Sequence, residues 1–566
     1  MKRISRLSRA VGLLGLIGLP ACVDLDEDII SGVTSSYYET PEGFEAAVNA
    51  AYSYLDELYG LERNMTMLEY GVDIWAEGAD GQHKHWNRYS AQLEPGTQYA
   101  REQWDITYQA INTTNAAISR GSKIQPSGAL TEELKNQRLG EARFLRALYY
   151  FYLLRHYGDL HLTLEETVGV VTEARRTPVA EIYRQAIIPD LEAAIASLPL
   201  TAPAGRATRG AAQHLLALVY LTRNEPGDAE RAEALTKEVI NSGVYRLMPT
   251  YAEVFTLENE AGPEVVFSVQ YTNDPLSWGN GNRWHLYWGA VYDEEPGMVR
   301  SLEYGRPFRR LRPSAYMLDS LFNRQIDSRF DSSFRTVWYA NADGVTKPLP
   351  PGMAKGDTAM FMPGVKTSQL DRSKYCGKPY RIYTEPDNFW SPRANPLGAA
   401  CPNLATEYNN RLFPTLTKYM DPTRASLNQE QSQRDFLVYR LADTYLMAAE
   451  ALIRQGKTAE AVQYVNAVRR RAAKPGMEAA MEVTEADMTL DFILAERARE
   501  LFGEGHRWFD LKRFGKLVEY VRARNKDAAP NIQDYHVLRP IPQTQIDRTR
   551  NPDGSSFGQN PGYGSD

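Results

Sequence analysis

The sequence predicts a mainly α fold in which helical hairpins stack side by side and one long loop-rich elaboration interrupts them. Three observations lead there. Residues 139–159, LGEARFLRALYYFYLLRHYGD, place Leu139, Ala142, Leu145, Leu148, Tyr149, Tyr152 and Leu153 at helical spacing, with Phe144 and Phe151 on the other face. A helix apolar on nearly all sides must pack against several neighbours, so this one is expected at the centre. Residues 208–243 and 439–472 each read as two helices joined by a short turn. Residues 264–434 lose the helical period and are rich in Pro, Gly, Asn and aromatic residues.

Composition narrows the function classes. The chain has 566 residues, of which 43% are hydrophobic and 24% charged, enough to bury a large core. A net charge of −7 with no basic tract argues against nucleic acid as a partner. Tyrosine is abundant, at 34 residues beside 9 Trp, and both suit surfaces that are part apolar and part hydrogen-bonding.

Taken in order, residues 1–21 form a leader. Lys2, Arg3, Arg6 and Arg9 precede an apolar run at 11–19 that is too short to span a bilayer. Leu19-Pro20-Ala21-Cys22 is similar to a lipobox, with Cys22 as the acylated residue; an ordinary signal peptide with an incidental cysteine is the alternative. Residues 22–40 are an acidic linker, with Asp24, Asp26, Glu27 and Asp28 forming either a surface-export tag or a solvated spacer. The folded chain then runs over 41–566. Thr40 and Pro41 open a first helix over 41–59, as N-cap and first helical residue. Residues 70–95 break the pattern with Gly, Asp and His around Trp75 and Trp86, and a long loop of this kind is usually functional or disordered. Helix returns over 99–120, in the central stretch, and over 178–198 despite Pro189, with Thr177 as its cap. The hairpins at 208–243 and 439–472, with Ala448, Ala449, Ala451, Ala459 and Ala461 allowing close approach, look like tetratricopeptide repeats, which stack into a curved solenoid. The helical scaffold is thus 41–263 and 435–566, and the elaboration 264–434, in which 264–271 is strand-like.

Several strings resemble the SusD/RagB family of outer-membrane nutrient-binding lipoproteins: EARFLRALYYFYLLRHYGD in the central helix, DIWAEGADG after the first helix, ELFGEGHRWFDLKRFGK, Arg539-Pro540-Ile541-Pro542 and Asn560-Pro561-Gly562-Tyr563. The resemblance runs from lipobox to C-terminus. It implies a lipid-anchored protein on the outer membrane, facing the exterior. Such a protein would capture an oligomeric nutrient, most often a glycan, and deliver it to a TonB-dependent SusC-like transporter. A peptide ligand is the alternative within the family; a surface glycoside hydrolase and a protein-only adaptor are alternatives outside it.

Motifs for catalysis are absent: there is no G-x-x-x-x-G-K-[ST], H-E-x-x-H or G-x-S-x-G. No cofactor, catalytic residue or metal site is expected; His83 and His85 flank Lys84 and point apart on an extended chain. Glu496, Arg497, Arg499 and Glu500 read as an ion-paired face that holds the C-terminal helix to the scaffold. The ligand site is expected where the 70–95 loop meets residues 271–304. Trp75, Trp86, Trp278, Trp284, Tyr287, Trp288 and Tyr304 supply flat rings for a pyranose, interleaved with Asn280, Asn282, Arg283 and His285 for its hydroxyls. The competing reading packs these rings into the core. With Cys22 acylated, Cys376 and Cys401 are the remaining thiols at an oxidising surface, and a disulfide between them is expected.

Overall fold

The computed structural model describes residues 35–274, 276, 279–389 and 391–564. The leader, Cys22, the acidic run and Trp278 lie outside the described residues.

The scaffold is a ladder of antiparallel helices. Its first half comprises α1 (Pro41–Ser53), α2 (Gln98–Gly121), α3 (Glu132–Tyr157), α4 (Ile188–Ser197), α5 (Arg209–Arg223) and α6 (Asp228–Asn241). Its second half comprises α7 (Leu441–Arg454), α8 (Thr458–Arg471), α9 (Leu490–Leu501) and α10 (Arg507–Arg513). Each helix from α1 to α8 packs on the next, and α9 returns onto α7, so the chain forms a tetratricopeptide-type solenoid. The elaboration is spliced between α6 and α7.

Helix α3 is the hub. Thr131 caps it by accepting from the Leu134 amide, and Gly158 ends it at φ +75°. Every residue from Phe144 to Leu154 is buried. Its polar tips reach out to each neighbour. Tyr149 donates to the Ala51 carbonyl of α1 at 2.6 Å, and Tyr157 to the Ala100 carbonyl of α2 at 2.9 Å. Arg146 forks onto Asp190 of α4 at 2.7 and 2.8 Å. Tyrosine suits this position because its ring fills the core while its hydroxyl satisfies a partner at the edge.

Sequence and structure part at several boundaries. The first helix stops at Ser53, breaks at Tyr54 and resumes over Leu55–Leu58. A helix over Glu62–Glu69 follows that periodicity did not suggest. The 178–198 stretch is broken by a widened π turn at Tyr183–Ile187 just before Pro189, which has no N–H to give to the preceding turn. Thr177 makes no cap there; Asp159 accepts from the Val179 amide at 3.0 Å instead.

The elaboration holds more sheet than its sequence suggests. Strand β1 (Trp75–Glu77) pairs antiparallel with Leu311–Pro313, and Val265–Val269 pairs antiparallel with Phe436–Arg440, tying the middle and the start of the elaboration to the scaffold. A four-stranded sheet in the order 337–339, 358–361, 381–384, 404–407 lies between them. The strands of this four-stranded sheet are three or four residues long and too short to show a period of their own, whereas Val265–Val269 falls in the stretch that reads as strand-like. Cys376 and Cys401 are joined by a disulfide beside this sheet, where Cys401 packs with Leu370, Ile382 and Leu404.

A buried ion network fastens the layers. Arg440 of the last strand donates to Glu264 at 2.9 Å, Glu500 at 2.8 Å and Glu504 at 2.6 Å. Arg471 joins it through Glu264 and Glu500. Arg329 of the elaboration binds Asp327 at 2.7 Å and Glu496 at 2.8 Å. Arg497 binds Asp443 and Asp510, and Arg507 forks onto Asp73 at 2.7 Å. Glu496, Arg497 and Glu500 of α9 thus join scaffold and elaboration, and Arg507 of α10 ties in the 70–95 segment. A buried charge is tolerable only when paired and hydrogen-bonded in this way.

Candidate glycan-facing rim

The two segments expected to form a site do meet. The Gly78 amide donates to the Arg310 carbonyl at 2.8 Å, and the Trp75 and Trp288 rings lie 4.6 Å apart. The rings themselves, however, face inward. Trp75 and Trp86 are 0% exposed, Trp284 0%, Tyr287 1%, Trp288 1% and Tyr304 5%. These six are core residues in this structure, which corrects the expectation that they form an open stacking platform. The cause is local. Residues Trp284–Leu286 form a tight 3-10 turn, and the Trp284 indole N–H donates to the Gly503 carbonyl at 2.9 Å while its ring abuts Phe436. Trp288 is sealed between Trp75 and Trp284. Trp86 lies in the same continuous core, beneath Arg539. Tyr304 braces the Tyr339 backbone at 3.1 and 3.2 Å. Asn282 and His285 are likewise buried and bonded to the Arg434 and Glu430 carbonyls.

What the seam presents outward is a rim of half-buried residues. His83 stacks on Tyr99 with centroids 3.8 Å apart. Arg310 spans the rim: it forks onto Glu62, at 2.6 Å for the shorter bond, donates to the Phe308 carbonyl at 3.1 Å, and lies 5.1 Å from the Phe308 ring. Arg306 covers Phe308 from 5.0 Å and pairs with Glu430 at 3.1 Å, which also holds Arg283 at 3.6 Å. Asn280 donates to Glu57 at 2.9 Å.

The rim has hydroxyl-binding chemistry. Burial lowers His83 below its ordinary value; burial and the neighbouring His83 push His85 down to about 4. Both are therefore neutral at pH 7, and a neutral imidazole carries one donor and one acceptor, as a sugar hydroxyl does. Among the described residues no group of three or more His, Cys, Asp or Glu could hold a metal ion.

Sequence reasoning passed over Tyr99, Phe308 and Arg310. Tyr99 only marks the start of the helix expected over 99–120, although it sits in the first turn next to the loop. Phe308 stands in the string Arg306-Pro307-Phe308-Arg309-Arg310, where a lone aromatic among arginines was the available signal.

Comparisons with known proteins agree with this architecture. The SusD family model matches residues 242–563, and a model described as starch-binding associating with outer membrane matches residues 34–221. The chain is 27% identical to SusD-like protein P2 of Formosa agariphila, over 99% of each chain. It is 26% identical to the starch-binding protein SusD of Bacteroides thetaiotaomicron, over 78% of this chain and 75% of that one. Among solved structures, surface glycan-binding protein A from Bacteroides thetaiotaomicron, in complex with laminarihexaose, superposes with a TM-score of 0.64 at 20% identity, covering 90% of this chain and 97% of that one. With the solenoid, the spliced elaboration and a family model covering more than half of the sequence, the chain belongs to the SusD family.

Proposed function

We propose that this protein binds an oligosaccharide at the cell surface, at the rim formed by His83, Tyr99, Phe308 and Arg310, and passes it to a SusC-like TonB-dependent transporter without chemical change. The observation that carries the proposal is the rim itself. Half-exposed rings stand beside neutral imidazoles and charge-paired arginines, which is the mix of flat apolar faces and oriented hydrogen-bonding groups that a sugar needs. Relatives named for starch binding and for a laminarihexaose complex support a glycan as the ligand. A lipid on Cys22 holds the protein to the outer membrane.

Titration calorimetry against neutral α- and β-glucan oligosaccharides, a mixed oligopeptide pool and a buffer blank tests the ligand class. Glycan binding weakened about tenfold or more by Tyr99→Ala or Phe308→Ala is the expected result, since removing a contact ring commonly costs about 1–3 kcal/mol. Binding of peptides alone overturns the glycan assignment, and release of shorter sugars during incubation overturns the non-enzymatic one.

A further inference from the structure

A cavity of about 960 Å³ lies where the C-terminal end of α3, the helix over Val179–Ile182, the end of α5, α10 and the closing segment around Leu538 and Asn560 converge. It shares no lining residue with the rim. Its charge is unlike that of the chain. Arg155, Arg176, Arg223, Lys512 and Arg513 line it against only Asp159 and Glu225, in a protein of net charge −7.

Most of these charges are engaged. Arg223 pairs with Asp228 at 2.6 Å, and Arg513 with Glu450 at 2.5 Å and Asp510 at 3.1 Å. Arg176 donates to the Gln559 carbonyl at 3.1 Å and to Asn560 at 2.6 Å. Asp159 accepts from Val179, and Glu225 turns to Arg223 at 3.4 Å. Arg176 has no ion pair among the described residues, but both of its terminal nitrogens are hydrogen-bonded; Arg155 and Lys512 are less satisfied. The Arg155 guanidinium is sandwiched between the Phe151 and Phe509 rings, 4.1 and 3.6 Å from their centroids, and its Nε donates to the Phe151 carbonyl of its own helix. Lys512 donates to the Arg155 carbonyl. Neither has a carboxylate partner among the described residues. The aromatic sandwich fixes the guanidinium plane and leaves its terminal nitrogens without a hydrogen-bond acceptor there. Burial, with Arg155 and Arg539 close by, holds the Lys512 ammonium down to about 7. Two half-buried cations at one cavity wall without an anion are unfavourable, and an oxyanion between them relieves both.

The rest of the wall is apolar, from Leu154, Val179 and Leu538, and Tyr183 adds a flat ring carrying a hydroxyl. We propose that this cavity binds a carboxylate-bearing sugar, a uronic acid residue or short uronate oligosaccharide, with its carboxylate between Arg155 and Lys512 and its ring on the apolar wall. The site is separate from the rim and stands or falls independently of the neutral-glycan reading.

The test uses the full chain, titrated by calorimetry with digalacturonate and with galactobiose as the uncharged control. Digalacturonate should bind at least about tenfold more tightly than galactobiose, and high salt should weaken it. Arg155→Met and Lys512→Met should each reduce digalacturonate affinity about tenfold or more while leaving binding of the neutral glycan at the rim unchanged. If Arg155→Met lowers the melting temperature, Lys512→Gln reports on the same anion from a half-exposed position. A short acidic peptide forms the third arm. Equal affinity for the two disaccharides, no digalacturonate binding at millimolar concentration, wild-type affinity in both variants, or binding of the peptide alone would each overturn the proposal.

Discussion

Replacing Trp288 with alanine separates the core reading of the aromatic segment from the stacking-platform reading. The indole is 1% exposed, 4.6 Å from Trp75 and 6.1 Å from Trp284, and all three rings belong to one continuous core. Truncating a buried aromatic typically costs about 3–5 kcal/mol, including the cavity left behind. Unfolding entropy of about 2.1 cal/mol/K per residue, over this chain unfolding as one unit, gives about 1.2 kcal/mol per kelvin, so the melting temperature should fall by about 3–4 °C. Calorimetric melting measures that shift. Titration of the still-folded variant at a temperature well below the transition measures ligand affinity, which should stay within about twofold of wild type. Phe308→Ala on the rim should behave in the opposite way, melting normally and binding poorly. A Trp288→Ala protein that melts like wild type but no longer binds ligand would refute the core assignment.

Three further outcomes follow from the same structure. In acid, Glu504 is the informative group: burial alone would raise its pKa, but Arg440 and Lys418 prevail and hold it at about 2, and Glu496 and Glu500 are lowered by their own arginines. A carboxyl depressed in the folded state stabilises above its unfolded pKa of about 4.3 and loses that stabilisation as pH falls toward 2; melting temperature should therefore drop steeply between about pH 4.5 and pH 2, and a flat profile there would contradict the network. The Cys376–Cys401 bridge closes a separation of 25 residues, which the chain-entropy model values at about 3 kcal/mol; denatured, unreduced protein should show no titratable thiol from this pair, and two free thiols would exclude the bridge. For the anchor, mass spectrometry of the membrane-extracted protein should find Cys22 as an acylated N-terminus, and an unmodified Cys22 or cleavage elsewhere would remove the lipoprotein assignment.

The fold was legible where the signal is periodic and long. The central helix announces itself because it is apolar on almost every side, and the hairpins because Thr208, Asn224 and Gly227 punctuate them as cap and turn. The ion-paired face of α9 was also readable, since Glu496, Arg497 and Glu500 recur at helical spacing. Short strands such as Val337–Tyr339 and Thr358–Phe361 were not, because three or four residues carry no period and their register depends on partners far along the chain. The site misled for a related reason. Gly279, Gly281 and Gly289 mark irregular backbone around Trp284 and Trp288, and irregular backbone suggests surface. Here the glycines permit a fold-back that carries the rings inward: Gly289 lies so close to Pro307 that a Cβ would approach its Cα to 2.9 Å. Sequence gives ring content along a segment, whereas the direction each ring takes is set by contacts such as Trp284 to Gly503 that no local pattern encodes.

The central claim, that the rim captures a glycan, is tested most directly by one calorimetric titration series: wild type, Tyr99→Ala, Phe308→Ala and Trp288→Ala, each against the neutral oligosaccharide that wild type binds best. The rim account predicts that the two rim variants lose about tenfold or more in affinity at unchanged melting temperature, while Trp288→Ala keeps its affinity and loses stability. Wild-type affinity in both rim variants, together with unchanged melting, would place the binding surface elsewhere on the molecule.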